Sequence, residues 1–428
     1  MRFLLFGLSL ALFFTVTSSS ARDRTLIHCG KLVDVEAGEV RGEATIVVVS
    51  NRIEAVSSGH DRPRSGDRVV DLRNATVLPG LMDMHVHLQS FFGPERYVER
   101  FQLNPEDLAL HAAHHARLTL RAGFTTVRDL GGEQVVALRN AIAKGIAEGP
   151  RIIAAGRSVA ITGGHADQSN GMRRDLQGDP GPAEGVINGP DDARKAVRQR
   201  YKEGADVIKI TATGGVLSVA KDGFRPQFTQ AEVDAIVEAA RDLGLSTAAH
   251  AHGPEGMKRA VLAGIGSIEH GTMMTEEVMD LMRERGTWYV PTLSAGRYTE
   301  EKAKVPGYYP AVVAQKALAV SPMMMGTFSQ ALKRGVKIAF GTDAGVFPHG
   351  ENAKEFLYLV EGGMTPMAAI QSATVEAAKL LGQERELGAI KPGMLADIIA
   401  VEGDPVADVV ALQKVVFVMK NGAVFAGP

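Results

Sequence analysis

Val77-Leu78-Pro79-Gly80-Leu81-Met82-Asp83-Met84-His85-Val86-His87 is the stretch on which the fold turns. Its apolar residues read as a strand over Met84–Leu88, and on a strand His85 and His87, two apart, project from the same face. Two imidazoles on one face are a chelating pair for a borderline metal such as Zn²⁺. The chain patterns differently before and after this stretch. Before it, Thr25–Gly30, Ala44–Val49 and Arg52–Val56 are β-branched or alternating runs bounded by Gly, Asn and Ser. The end of the chain repeats that style at Asp397–Val401, Val415–Met419 and Ala423–Phe425. Asn421-Gly422 between the last two is a hairpin signal, because both central residues of a type I′ turn need φ > 0.

The middle alternates. Short apolar strands are expected at Met84–Leu88, Thr125–Asp129, Ile152–Arg157, Val207–Ile210, Ser246–His252, Ser267–Gly271, Trp288–Leu293 and Lys337–Thr342. Helices are expected between them at Pro105–Arg121, Asp191–Glu203, Gln230–Leu243, Pro254–Ala263, Glu276–Arg285 and Pro310–Arg334. This order suits an α/β fold, a (β/α)₈ TIM barrel over residues 81–390. The terminal segments, 22–80 and 391–428, pair into one small β domain, expected as a sandwich. A doubly wound open sheet is the competitor, weakened because no GxGxxG turn follows the first strand.

The 428 residues are 45% hydrophobic and 22% charged, an ordinary globular balance. Lys+Arg 47 against Asp+Glu 49, with no long basic block, argues against nucleic acid as a partner. The one cysteine, Cys29, excludes an intramolecular disulfide and Cys-based zinc motifs, so a metal must rest on His and carboxylate ligands or something less usual. Arg2, the apolar run Phe3–Val16 and small residues at Ser19 and Ala21 describe a secretory signal over residues 1–21. About 14 apolar residues are too few to span a ~30 Å hydrocarbon core. The expected location is secreted or periplasmic, with no membrane association once the signal is removed.

Catalytic groups of a barrel collect at the C-terminal ends of its strands. There the sequence offers His85 and His87 on the first strand, Lys209 on the fourth, His250 or His252 on the fifth, His270 on the sixth and Asp343 on the eighth. A lysine in an apolar strand is costly unless it snorkels, pairs or is chemically changed. Carboxylated by CO₂, Lys209 would place two anionic oxygens between two cations about 3.5–4 Å apart. Asp343 can both ligate a metal and exchange a proton with bound water.

These residues resemble the amidohydrolase superfamily over nearly the whole chain, and Val77–His87, Thr162–His165, Ala212–Val216, Ala249–Gly253, Ile268–Gly271, Gly341–Gly345 and Pro348–Gly350 carry a narrower likeness. The narrower resemblance is to its imidazolonepropionase-like branch of metal-dependent hydrolases. That branch includes Xaa-Pro and Xaa-Arg/Lys dipeptidases and ochratoxinase-like amidases. The resemblance implies two Zn²⁺ per subunit, His85 and His87 on one and His250 and His270 on the other. Carboxylated Lys209 and a hydroxide would bridge them, with Asp343 on the first ion, and His252 would play a supporting part. It also implies that His165 contacts substrate. Phe228 matches a position where some relatives carry a carbonyl-polarising tyrosine, so carbonyl polarisation would fall to a zinc ion or His165.

The expected reaction is hydrolysis of an amide or peptide bond next to a free carboxylate, releasing a C-terminal amino acid from a small peptide or N-acyl amino acid. Asp343 and His165 are the expected catalytic residues. No acyl-enzyme is needed, in keeping with the absence of GxSxG. Arg297 and Tyr298 are second choices after His165 for the substrate carboxylate. His111, His114 and His115 have chelating spacings but read as a helix face, and Asp129 reads as support for the barrel mouth. A cyclic amidohydrolase of imidazolonepropionase type and a non-catalytic barrel that binds a ligand are the alternatives. The side chain accepted at the C-terminal position and the metal used in the cell are not legible, and nothing forbids a homo-oligomer.

Overall fold

The computed structural model describes residues 24–90, 93–99 and 101–427; the expected signal, 1–21, lies outside them. Among the described residues seven parallel strands of three residues or more follow Gly80 in chain order: β1 (Leu81–Val86), β2 (Phe124–Asp129), β3 (Arg151–Ala154), β4 (Val207–Thr211), β5 (Ser246–Ala251), β6 (Ser267–His270) and β7 (Trp288–Val290). β1–β3 form one ladder and β4–β7 another. Single parallel bridges join them, Val159 to Ile210 on one side, and Tyr289 to Ile338 and Val86 to Ala344 on the other. The result is a TIM-barrel-like α/β fold in two arcs.

The eighth expected strand, Lys337–Thr342, forms no ladder. Met84 N still donates to Phe340 O and Asp343 N to His85 O, so the segment lies beside β1. Thr342 N, however, is taken by the Asp83 carboxylate at 3.1 Å, and Asp343 sits at φ 61°, outside the β region. The helices between the strands are α1 (Pro105–Arg121), α2 (Val135–Ala143), α3 (Pro190–Glu203), α4 (Gln230–Asp242), α5 (Pro254–Ala263) and α6 (Glu276–Arg285). Proline opens α1, α3 and α5, where its missing N–H costs nothing. A capping box, Thr229 with Glu232, opens α4. The single helix expected over Pro310–Arg334 is broken. After α7 (Leu293–Ala303), α8 (Ala311–Val320) ends in a 3₁₀ turn at Ser321-Pro322-Met323 before α9 (Met324–Lys333), since Pro322 cannot continue the α ladder.

The terminal segments make one eight-stranded sheet where a two-sheet sandwich was expected. The twelve-residue strand Arg68–Pro79 runs parallel to Arg24–Asp34 along most of its length. Its last residues, Thr76–Pro79, pair antiparallel with Ile398–Val401. One strand long enough to serve both partners welds the two chain ends into a single ladder. The predicted hairpin is present, with Asn421 at φ 52° and Gly422 at φ 78° between Val415–Lys420 and Ala423–Ala426. Because Pro79 leads through Gly80 straight into β1, this sheet fixes where His85 and His87 stand. Among the described residues no helix is long and apolar enough to cross a membrane.

Candidate metal centre and active site

A cavity of about 610 Å³ opens at the strand ends, and His85, His87, His165, Lys209, His250, His252, His270 and Asp343 all line it. His85 and His87 bring their Nε2 atoms to 3.3 Å. Asp343 Oδ1 lies 3.6 Å from the first and 3.4 Å from the second. Lys209 Nζ, from the middle of β4, is 3.4 Å from His85 Nε2. The His250 and His270 rings meet with centroids 4.7 Å apart, and His270 is 5.0 Å from His85. Six sequence-predicted positions from five parts of the chain thus share one small space.

The far side of each ring fixes which nitrogen faces that space. His85 Nδ1 donates to the Glu269 carboxylate at 2.9 Å, and His87 Nδ1 to Gly131 O at 3.1 Å. Each therefore presents an unprotonated Nε2. His250 donates from Nε2 to Gly214 O at 3.1 Å, which leaves Nδ1 as its lone pair. His270 Nδ1 contacts Thr292 Oγ1 at 2.7 Å. Asp343 Oδ1 is buried with no hydrogen-bond donor among the described residues. Two imidazole lone pairs and a carboxylate oxygen within 4.8 Å of one another are three acceptors facing inward, a donor set that a cation satisfies. The backbone is strained here too. His270, Thr292 and Asp343 have φ of 69°, 53° and 61°, uncommon for residues with a side chain and concentrated at functional sites.

Burial sets the charges. It holds His85, His250 and His270 well below the usual imidazole range and His87 down at about 4, so all are neutral, the form that ligates metal. Burial also lowers Lys209 and raises Asp343, bringing a lysine amine toward the neutral form that can add CO₂.

Glu269 is the residue that sequence reading passed over. Its second oxygen accepts from Arg128 Nη2 at 2.9 Å and from Ser267 Oγ at 2.5 Å, and Arg128 Nε donates to Met84 O. A glutamate and an arginine in otherwise apolar strands were the available signal: such charges are buried only as partners. Asp129 does support the mouth, accepting from Leu88 N and Gly131 N. His165 stacks on His250 with centroids 4.4 Å apart, and its backbone N donates to Gln227 Oε1 at 2.9 Å. A Cβ on Gly215 would lie 2.2 Å from the His165 ring, so only glycine lets this loop close over it. Lys316 Nζ, from α8, ties that loop down through Gly215 O, Ser218 O and Ala220 O at 2.7–2.8 Å.

Other expected contacts lie elsewhere. Arg297 pairs with Glu361 on the surface, and the Tyr298 hydroxyl is taken by Tyr308; neither lines the cavity. Phe228 is buried away from it as well, its ring in the core. His115 is buried against His349 with centroids 4.6 Å apart, while His111 and His114 lie outside the cavity.

The sequence model of the "Amidohydrolase family" matches residues 76–425. The chain belongs to the amidohydrolase family. It is accordingly a hydrolase of amide bonds, in a family typically dependent on metal. A crystal structure of a Xaa-Pro dipeptidase with methionine bound in its active site is 52% identical, with TM-score 0.93, covering 95% of this chain and all of that one. The ochratoxinase of Aspergillus niger is 33% identical over 96% of this chain and 89% of its own. A prolidase structure complexed with N-methylphosphonate-L-proline is 28% identical, with TM-score 0.86, over 95% of this chain and all of that one.

Proposed function

We propose that this protein is a binuclear zinc amidohydrolase that cleaves an amide or peptide bond beside a free carboxylate and releases the C-terminal amino acid. The observation that carries the reading is the convergence of His85, His87 and Asp343 as three inward acceptors, with Lys209 at 3.4 Å from the first. His85, His87 and Asp343 would hold one ion, His250 and His270 the other, with carboxylated Lys209 between them. The similarity to a Xaa-Pro dipeptidase and an ochratoxinase supports the substrate class. A 610 Å³ cavity suits a dipeptide or N-acyl amino acid.

When bound, the two ions supply Lewis acidity for the scissile carbonyl and lower the pKa of a water at neutral pH. The protein does the rest. Lys209 Nζ forms a bond to CO₂ and gives up a proton, becoming a carbamate whose two oxygens replace one ammonium. Asp343 accepts the proton of the attacking water and passes it to the departing nitrogen. His165, neutral in its buried position, orients the carbonyl. The Lys316-clasped loop keeps bulk water away. In this reading the bridges between the two arcs are the seams of a closed (β/α)₈ barrel over residues 81–390, flanked by a β domain from 22–80 and 391–428. Residues 1–21 would direct export.

The test is release of free amino acid from Xaa-Pro, Xaa-Arg, Xaa-Lys, Xaa-Phe and N-acyl amino acids by protein reconstituted with zinc and bicarbonate. Selective release of C-terminal residues is expected. A flat panel from protein holding two metals would overturn the substrate class in favour of a cyclic amide.

A further inference from the structure

A substrate carboxylate entering this cavity needs a cation, and most of the cationic groups around it are engaged. Arg157 lines the cavity but pairs with Glu133. Lys316 gives its three donors to backbone carbonyls. His165 is held neutral by burial, its pKa down at about 3. Lys209 belongs to the inner end. Among the described residues one cationic side chain lining the cavity is left: Arg96, in the four-residue helix Arg96–Glu99 between β1 and α1.

We infer that Arg96 is the specificity residue that receives the carboxylate of the released amino acid, an inference that rests on the function proposed above. Arg96 is half-buried in the cavity wall, and among the described residues it has no carboxylate partner. Its guanidinium carbon lies 5.8 Å from the Tyr97 ring centroid, a contact with the ring face that uses none of its N–H donors. It lines the same cavity as His87 and Asp343, two of the proposed metal ligands. The segment is not free to drift: Tyr97 donates its hydroxyl to Leu217 O at 3.0 Å, bracing it on the loop that Lys316 clasps. A planar fork of five donors that no carboxylate among the described residues pairs matches a substrate carboxylate bidentately, whereas a C-terminal amide offers one neutral oxygen. Arg96 would therefore make the enzyme an exo-acting one, reading the free end of its substrate.

The test compares kcat/KM on a cleaved dipeptide and on its C-terminal amide for metal-loaded wild type, Arg96→Met and Arg96→Lys. Binding of the product amino acid and its amide is followed by calorimetry. Wild type should prefer the acid by roughly 10- to 100-fold. Arg96→Met should lose that preference through KM, with a parallel loss in product binding, and Arg96→Lys should fall between. A wild type without acid preference would overturn the substrate reading itself. A preference that Arg96→Met retains would overturn the assignment of Arg96 alone.

Discussion

Replacing Glu269 by Gln removes one charge from the centre of the barrel and keeps its volume. Glu269 is fully buried, Arg128 is 1% exposed, and their 2.9 Å contact is backed by the hydrogen bond from His85 Nδ1. Burial already lowers the Arg128 pKa against the support of Glu269. Leaving that guanidinium without its counter-charge costs about 3–5 kcal/mol, because an uncompensated buried charge loses hydration it cannot recover. For a chain of this length that is about 4–6 °C in Tm. Independently, His85 loses the carboxylate that orients its ring, which costs roughly 10- to 100-fold in metal affinity. Calorimetric unfolding reads the first effect, and competition with a chromophoric chelator reads the second. A double variant, Arg128→Met with Glu269→Gln, separates them: it should recover much of the Tm, since both charges are gone, but not the affinity. A Glu269→Gln protein with unchanged Tm and wild-type affinity would refute the reasoning, and a double variant with restored affinity would show that Glu269 acts only through stability.

Asp343→Asn should retain its metal yet lose roughly 100- to 10,000-fold in kcat, as expected on removing a general base; near-normal turnover would remove Asp343 from proton transfer. Lys316→Met should raise KM and lower kcat together by roughly tenfold at unchanged metal content, because the loop over His165 loses three tethers; steady-state kinetics beside metal analysis decides. Burial pushes the Glu355 carboxyl up to about 8, although Leu293 N and Ser294 N donate to it at 2.8 and 2.6 Å. The folded protein then keeps a proton that the unfolded chain loses near its ordinary value, so stability falls as pH rises from about 4.5 to about 8, by on the order of 5 kcal/mol. Glu355→Gln should flatten that slope in a series of unfolding curves, and an unaltered slope would assign it to other groups.

The sequence carried the parts of the site that depend on strand ends. HxH spacing, a lysine inside an apolar strand and an aspartate after Gly341-Thr342 are local facts, and their placement follows once the strands are ordered. The single sheet of the chain ends was not legible, because its weld is long-range pairing: Thr76 and Val77 hold Lys31 and Leu32 on one edge and Val401 and Ala400 on the other. The broken eighth strand escaped for another reason. Lys337–Thr342 has strand composition, but Asp83, distant in sequence, takes the Thr342 amide. The helix break at Pro322 was available in the sequence and was passed over in favour of the apolar periodicity around it. Contacts to substrate were the least legible. Arg297 and Arg96 look alike as letters, and only the fold shows that Glu361 neutralises one while the other faces the cavity.

The measurement that tests the central claim most directly is metal content and lysine carboxylation in one sample. Protein reconstituted with zinc and isotope-labelled bicarbonate should hold two ions per chain and show a carbamate carbon signal by NMR. Lys209→Met should lose the signal and at least one ion. A wild-type protein with one ion per chain and no carbamate would contradict the binuclear account.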